Sequence, residues 1–377
     1  MKYKNILFYL FFLLVFTVAI FEILVRFFPI YEKFGWKLKH PLFDRVENID
    51  NPSDKMINNF VIGDSLVEYM KDDKANFVNI VEKKLNNQNQ IYNFHNLGFA
   101  GTGPRDYLMI MNYIISKNLK IDNLYIFIDN STDFSDYFYD IENNKTYTNE
   151  WKEPEIYNLD IENVNFKNFV KQSVIINLIY RYFFKQYLKV GYGNSLDKNI
   201  NDLSKIFEID EKKKNQKINS IDQKYIKLSK SDIINSFWVA GGILFPEMKK
   251  FEKFGYPLHS EAILANMKKD FEAINLNCEN YIINCHIIFI PDQTSVDEKY
   301  QPFYKDLGFE IENSFLDGIS FYEDFLINNF NNSKLKFHKL HGKINSSENM
   351  YLFLDNHFNF EGNKKMADAF YNIIKSN

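Results

Sequence analysis

The chain is 377 residues long, 46% apolar and 17% aromatic, a composition that can bury a large core and excludes a disordered chain. Its formal net charge of −4 gives no reason to expect nucleic acid as a partner. Only Arg26, Arg45, Arg105 and Arg181 of its 45 basic residues are arginine; with so much Asn, Lys, Ile and Phe, this reads as the codon bias of an AT-rich genome. After Met1–Asn5 comes an apolar run, Ile6 to Phe28, interrupted only by Glu22 and Arg26, which are spaced to pair on one helix face. Twenty-odd apolar residues span a bilayer, and no small-residue cleavage site follows, so residues 1–30 read as a retained signal anchor. The flanking charges do not settle its orientation: Lys2 and Lys4 precede the run, but Arg26, Lys33, Lys37 and Lys39 lie in or after it.

Residues 31–58, with Pro41 and Pro52, form a juxtamembrane connector into a folded domain at 59–377. There a βαβ rhythm begins. Strands are expected at Asn59–Ile62, Ile91–Phe94, Asn123–Ile128 and Cys285–Ile290, with helices at Leu66–Asn86, 105–118, His259–Ala273 and Asn363–Lys375. Short apolar strands alternating with helices predict an α/β fold with a parallel sheet covered on both faces. From about 135 to 255 the rhythm breaks and an insertion is expected, helical in character and near the site-bearing edge. Its Lys-rich stretch 208–232 reads as a solvated loop or exposed helix. Cys278 and Cys285 are too few for a structural zinc site; Cys285, in an apolar strand, reads as a small core residue in preference to a disulfide partner.

Three segments carry chemistry. The first is Gly63-Asp64-Ser65-Leu66, directly after an apolar strand; Ser65 is either a nucleophile displayed at the strand end or the N-cap of the next helix. The second is Asn96-Leu97-Gly98-Phe99-Ala100-Gly101-Thr102-Gly103-Pro104, whose three glycines permit a tight turn that aims N–H groups at a ligand; its spacing is not that of a dinucleotide-binding loop. The third is Asp355-Asn356-His357, ahead of the last helix, where an acid near a histidine can fix the imidazole tautomer.

Together these blocks resemble the GDSL/SGNH family of serine esterases and acyltransferases. Gly63–Leu66 matches the family's first block letter for letter, Asn96–Gly101 looks like its second, and Asp355–Gly362 resembles its last. The resemblance covers 59–134 and 255–375. It implies a three-layer α/β/α fold with Ser65 as nucleophile, His357 as general base and Asp355 orienting it. The oxyanion hole would be formed by the N–H groups of Ser65 and Gly101 with a side-chain amide from the third block. That block departs from the pattern: in Ile126–Asp136 either Asn130 or Thr132 fills the position, and Asn130 is taken as the candidate donor. Asp355 and His357 are two apart, as in a minority branch of the family. Arg105, in the first helical turn beside the glycines, is a candidate substrate contact for an anionic sugar; a solvated side chain or weak salt bridge is the plainer reading.

The resemblance further implies acyl, chiefly acetyl, esters on envelope polysaccharide as substrate, no metal or cofactor, and a single-pass membrane protein with its domain outside the cytoplasm. Two alternatives accompany it. One is transfer of the acyl group to a sugar hydroxyl by the same triad. The other is an envelope binding or assembly protein that has lost the chemistry.

Overall fold

A computed structural model describes residues 55–70, 74–87, 91–130, 132–142, 196–231, 233–344, 349–352 and 356–376, with isolated positions before residue 50. The chain divides into two compact units, 1–45 with 152–193 and 46–151 with 194–377; the second holds the sheet. Among the described residues no helix is long and apolar enough to cross a membrane. Most of the expected anchor Ile6–Phe28, much of the connector, and residues 143–195 of the insertion lie outside the described residues.

Five strands form one parallel sheet: β1 (Ile57–Ile62), β2 (Tyr92–Asn96), β3 (Asn123–Asp129), β4 (Asn284–Ile290) and β5 (Leu335–Lys339). The helices are α1 (Ser65–Glu68), α2 (Phe77–Asn86), α3 (Pro104–Ser116), α4 (Ser135–Glu142), α5 (Leu196–Ile206), α6 (Glu211–Ser220), α7 (Gln223–Lys230), α8 (Ser236–Leu244), α9 (Met248–Phe254), α10 (Ser260–Asn280), α11 (Gln293–Val296), α12 (Gln301–Asp306), α13 (Phe321–Phe330) and α14 (Phe360–Lys375). The strand order is β2-β1-β3-β4-β5, so the chain reverses its direction of winding at β1. In open parallel sheets ligands bind at the carboxyl ends of strands beside that reversal. Ser65 is there.

The continuous apolar runs of β1, β3 and β4 follow from burial on both sheet faces. On one face Val61, Phe127, Ile288 and Ile290 pack with α2 and α14, where Phe370 meets Tyr125 edge-on at 4.8 Å and Phe127 at 5.1 Å. The other helical layer is α3 with α10; α3 buries Tyr107, Ile110, Met111 and Ile114, a spacing that repeats with the helical turn.

Two expectations are corrected, one is decided between its alternatives, and two elements were not foreseen. The helix read as Leu66–Asn86 is two helices: Met70 takes φ 58°, and Asn76 starts the second by accepting from Val78 N–H at 2.9 Å. Strand β5 and helix α13 carry no sequence pattern that announces them. The 208–232 stretch takes the helical alternative, but as two helices, α6 and α7, capped by Asp210 and Asp222, the second burying Tyr225 and Ile226. Cys278 is bonded to Cys285, joining the end of α10 to the start of β4.

The described part of the insertion is helical, α4 to α9. Lys249 of α9, buried over the Trp238 ring at 4.2 Å, is 2.7 Å from Asp292 and 3.0 Å from Glu252. Asp292 lies one residue beyond the end of β4, after Pro291, and caps α11. That ion pair fastens the insertion to the carboxyl end of the sheet.

Candidate active site

Gly63 must be glycine because a Cβ there would sit 2.4 Å from Val67 Cγ2 and 3.1 Å from Phe127 O. The chain therefore turns sharply between β1 and α1. Asp64 is the N-cap: its Oδ1 accepts from Leu66 N–H at 2.9 Å. Ser65 is the first helical residue, so the capping role proposed for it is filled by its neighbour. Its half-buried hydroxyl donates to Asp64 Oδ2 at 3.2 Å.

The glycine turn docks against this one. Gly98 lies on the backbone of α1, where a Cβ would be 2.6 Å from Glu68 N, and Phe99 N–H donates to Gly63 O at 2.9 Å. Asn96 accepts from Gly98 N–H at 3.0 Å and donates to Val67 O at 3.1 Å. Gly101 takes φ +75°, a left-handed conformation that glycine adopts without strain, with open space where a side chain would stand. Pro104 then opens α3, and Asp106 accepts from Gly103 N–H at 3.1 Å. Gly101 and Arg105 line one polar pocket of about 260 Å³ with Asp136, Tyr137 and Tyr139 of α4. Burial and the Asp270 carboxylate push the Tyr137 hydroxyl well above its ordinary pKa, and the Arg105 charge opposes them.

Beneath the Ser65 turn lie three buried carboxyls, Asp64, Asp129 and Asp133. Burial, then the charge of Asp129, raises Asp64 to about 7; Leu66 N–H, the His357 charge and the Ser65 hydroxyl pull the other way. Asp133 is pushed well above the carboxylate range by burial and by its two acidic neighbours; it accepts from Tyr107 Oη at 2.6 Å. Asp129 accepts from Thr132 Oγ1 at 3.1 Å and from the buried Asn356 Nδ2 at 3.4 Å.

Asn130 is placed differently from the backbone donors. Its amide donates to Glu323 of α13, and Asn130 lines a cleft with Asp292, Ser295 and His341, beyond the ends of β3, β4 and β5. In this arrangement the amide faces Glu323.

In the last block Met350–Leu352 lies antiparallel to His357–Asn359. Leu352 N–H donates to His357 O at 2.9 Å, Asn359 N–H to Met350 O at 2.8 Å, and Tyr351 bridges Phe358. Asn359 caps α14, while Asn363 Oδ1 accepts from Phe77 N–H at 3.1 Å and locks this loop onto α2. Asp355 lies outside the described residues. The His357 ring rests against the Tyr69 ring, 4.9 Å between centroids and tilted by 32°. Tyr69 follows α1 directly, and its N–H donates to Ser65 O at 2.8 Å. Ser65, the glycine turn and His357 thus meet on one edge, and the charge of His357 is felt at Asp64.

Sequence reasoning missed Tyr69, which positions the His357 ring, and Asn356, which ties its loop to Asp129. The only signal for Asn356 was its place between the acid and the histidine. Among the described residues no group of three or more His, Cys, Asp or Glu is arranged to hold a metal ion. In comparison with known proteins, no family model and no curated protein matches the chain.

Proposed function

We propose that the chain is a membrane-anchored serine esterase of the GDSL/SGNH type, acting on acyl esters of envelope carbohydrate. One observation carries this reading: a serine that is not the helix cap stands at the switch-point strand end, on the same helical turn as the tyrosine against which a distant histidine packs. Ser65 Oγ attacks the ester carbonyl carbon and its proton passes to the His357 imidazole. The tetrahedral oxyanion is held by the N–H groups of Ser65 and Gly101. As the intermediate collapses, His357 returns the proton to the departing alcohol and an acyl-serine remains. Water, deprotonated by His357, then hydrolyses the acyl-serine. Asp355 carries the orienting role by resemblance alone.

In the resting arrangement the Ser65 hydroxyl is turned to Asp64, so substrate binding must draw it to His357. The Asn130 amide joins the oxyanion hole only by leaving Glu323, which makes the backbone donors the principal ones. The polar pocket of Gly101, Arg105, Tyr137 and Tyr139 supports a carbohydrate substrate, because sugar hydroxyls need both donors and acceptors around them. The Cys278–Cys285 bond supports an oxidising compartment for the domain.

Hydrolysis of an activated acetyl ester by the full chain tests the reading. Ser65→Ala and His357→Ala should each lower kcat by about a thousandfold or more, and the double variant by no further comparable factor. Undiminished turnover by folded Ser65→Ala would overturn it.

A further inference from the structure

The end of the sheet opposite Ser65 has a character of its own. β1 begins at Ile57, whose N–H donates to Ile91 O at 3.0 Å. Asn58 N–H donates to Asp122 Oδ2 at 2.8 Å, Asn284 N–H to Asp122 O at 3.2 Å, and Lys334 N–H to Asn275 Oδ1 at 3.0 Å. These bonds join the segments that enter β1, β2, β3, β4 and β5 into one continuous surface.

Large apolar side chains stand exposed on it: Ile57, Ile91, Leu276, Tyr281 and Ile282. Scattered singly they would need no explanation; gathered at one end they do. Ile282 is 88% exposed and has φ 55°, a left-handed conformation that a β-branched residue adopts at a cost of roughly 1–2 kcal/mol. The short loop that presents it is closed covalently by Cys278–Cys285. A strained, clamped turn therefore holds an isoleucine and a tyrosine outward.

Charge names the occupant. The described parts of these segments expose Lys55, Lys117, Lys120 and Lys334, while their acids are Asp122, paired to Lys120 at 3.7 Å, and Glu279. Lysines around isoleucine and tyrosine tips match a bilayer interface, where ammonium groups meet lipid phosphates, tyrosine sits at headgroup depth and isoleucine reaches the acyl chains. In sequence the apolar run Ile6–Phe28 precedes Ile57 by about thirty residues, and on the anchored reading it would hold the domain at high effective concentration beside a bilayer.

We propose that the amino-terminal end of the sheet rests on the anionic lipid surface of the membrane that anchors the chain, turning the Ser65 edge away from the bilayer. The inference rests on the anchored reading above. It deepens that reading, because the site then addresses an ester borne on a polymer away from the membrane and not the acyl chain of a neighbouring lipid.

The test uses the full chain, disulfide intact, in vesicles of phosphatidylcholine with phosphatidylglycerol. An environment-sensitive fluorophore is placed at Ile91→Cys or, at the opposite end, at the exposed Ile319→Cys. Emission at position 91 should be blue-shifted and quenched by bromolipid, and that at 319 should not. The shift at 91 should shrink in pure phosphatidylcholine, in high salt and in Lys117→Glu/Lys120→Glu. A water-like signal at 91, in vesicles from which alkaline carbonate cannot strip the chain, overturns the surface and leaves the anchor standing. A chain that carbonate strips overturns the anchor and the surface together. A shift at 91 that persists in lipid-free detergent and fades on dilution assigns this end to a second copy and overturns the lipid proposal.

Discussion

The ring of His357 lies 4.9 Å from the ring of Tyr69, whose N–H in turn bonds the carbonyl of Ser65. The ring of the proposed base therefore rests on the residue that ends the helical turn begun by Ser65. Tyr69→Phe keeps the ring and should keep kcat within about twofold of the parent, whereas Tyr69→Ala should lower kcat about tenfold or more with little change in KM, because a misplaced base loses proximity and not binding. Steady-state kinetics on an activated acetyl ester checks this; equal effects of the two variants would remove Tyr69 from the positioning role.

Arg105 shares its pocket with Gly101. Arg105→Ala should raise KM for an anionic acylated polysaccharide about tenfold, equivalent to ~1.4 kcal/mol, while leaving a small neutral acetyl ester unaffected. Equal loss on both substrates would make Arg105 a structural residue.

Stability should depend on pH through two sets of groups with opposite signs. Asp64 keeps its proton to about pH 7 when folded, chiefly through burial, against an ordinary carboxylate value of ~3.9. Its contribution is full at low pH and is lost as pH rises through about 7. His286 and His338, paired at 3.0 Å between ring nitrogens, are lowered by burial to about 3 and about 4. For His286 the charges of His338 and Lys336 add to burial, and for His338 those of Lys343 and Lys336. Their contribution is present above the imidazole value of ~6.5 and is lost as pH falls toward those lowered values. Denaturation midpoints should show wild type losing ground to Asp64→Asn as pH rises from about 4 to about 7, and gaining on His286→Gln over the same range. Parallel curves for either variant would contradict the assignment.

The Cys278–Cys285 bond closes a short loop, and its loss should lower unfolding stability by about 2–3 kcal/mol. Denaturant midpoints of the Cys278→Ala/Cys285→Ala variant against the oxidised chain measure this. Coincident curves would show that the bond does not constrain the domain.

How much of this was legible in sequence depended on whether the signal was local. Phe60–Ile62, Leu124–Ile128 and Cys285–Ile290 are continuous apolar runs because both sheet faces are covered, and they read as strands at once. Leu335–Lys339 did not, because on an edge strand two lysines and a histidine alternate with only two apolar residues. The apolar pattern runs on through Met70, so it could not report the break that a left-handed residue and the Asn76 cap impose. Asp64 and Ser65 are both good N-caps by type, and only geometry assigns the role to Asp64. The partner of Asn130 lies on α13, an element that no sequence pattern announces. The pairing of Cys278 with Cys285 depends on a turn through the left-handed Ile282, which residue type argues against.

The central claim is that Ser65 is a nucleophile activated by His357. Intact-mass and peptide analysis of the folded full chain after treatment with a fluorophosphonate tests it most directly. One adduct is expected, on the peptide bearing Ser65, absent in Ser65→Ala and slowed about a hundredfold or more in His357→Ala. A folded chain that takes up no label at Ser65, or labels equally fast without His357, would contradict it.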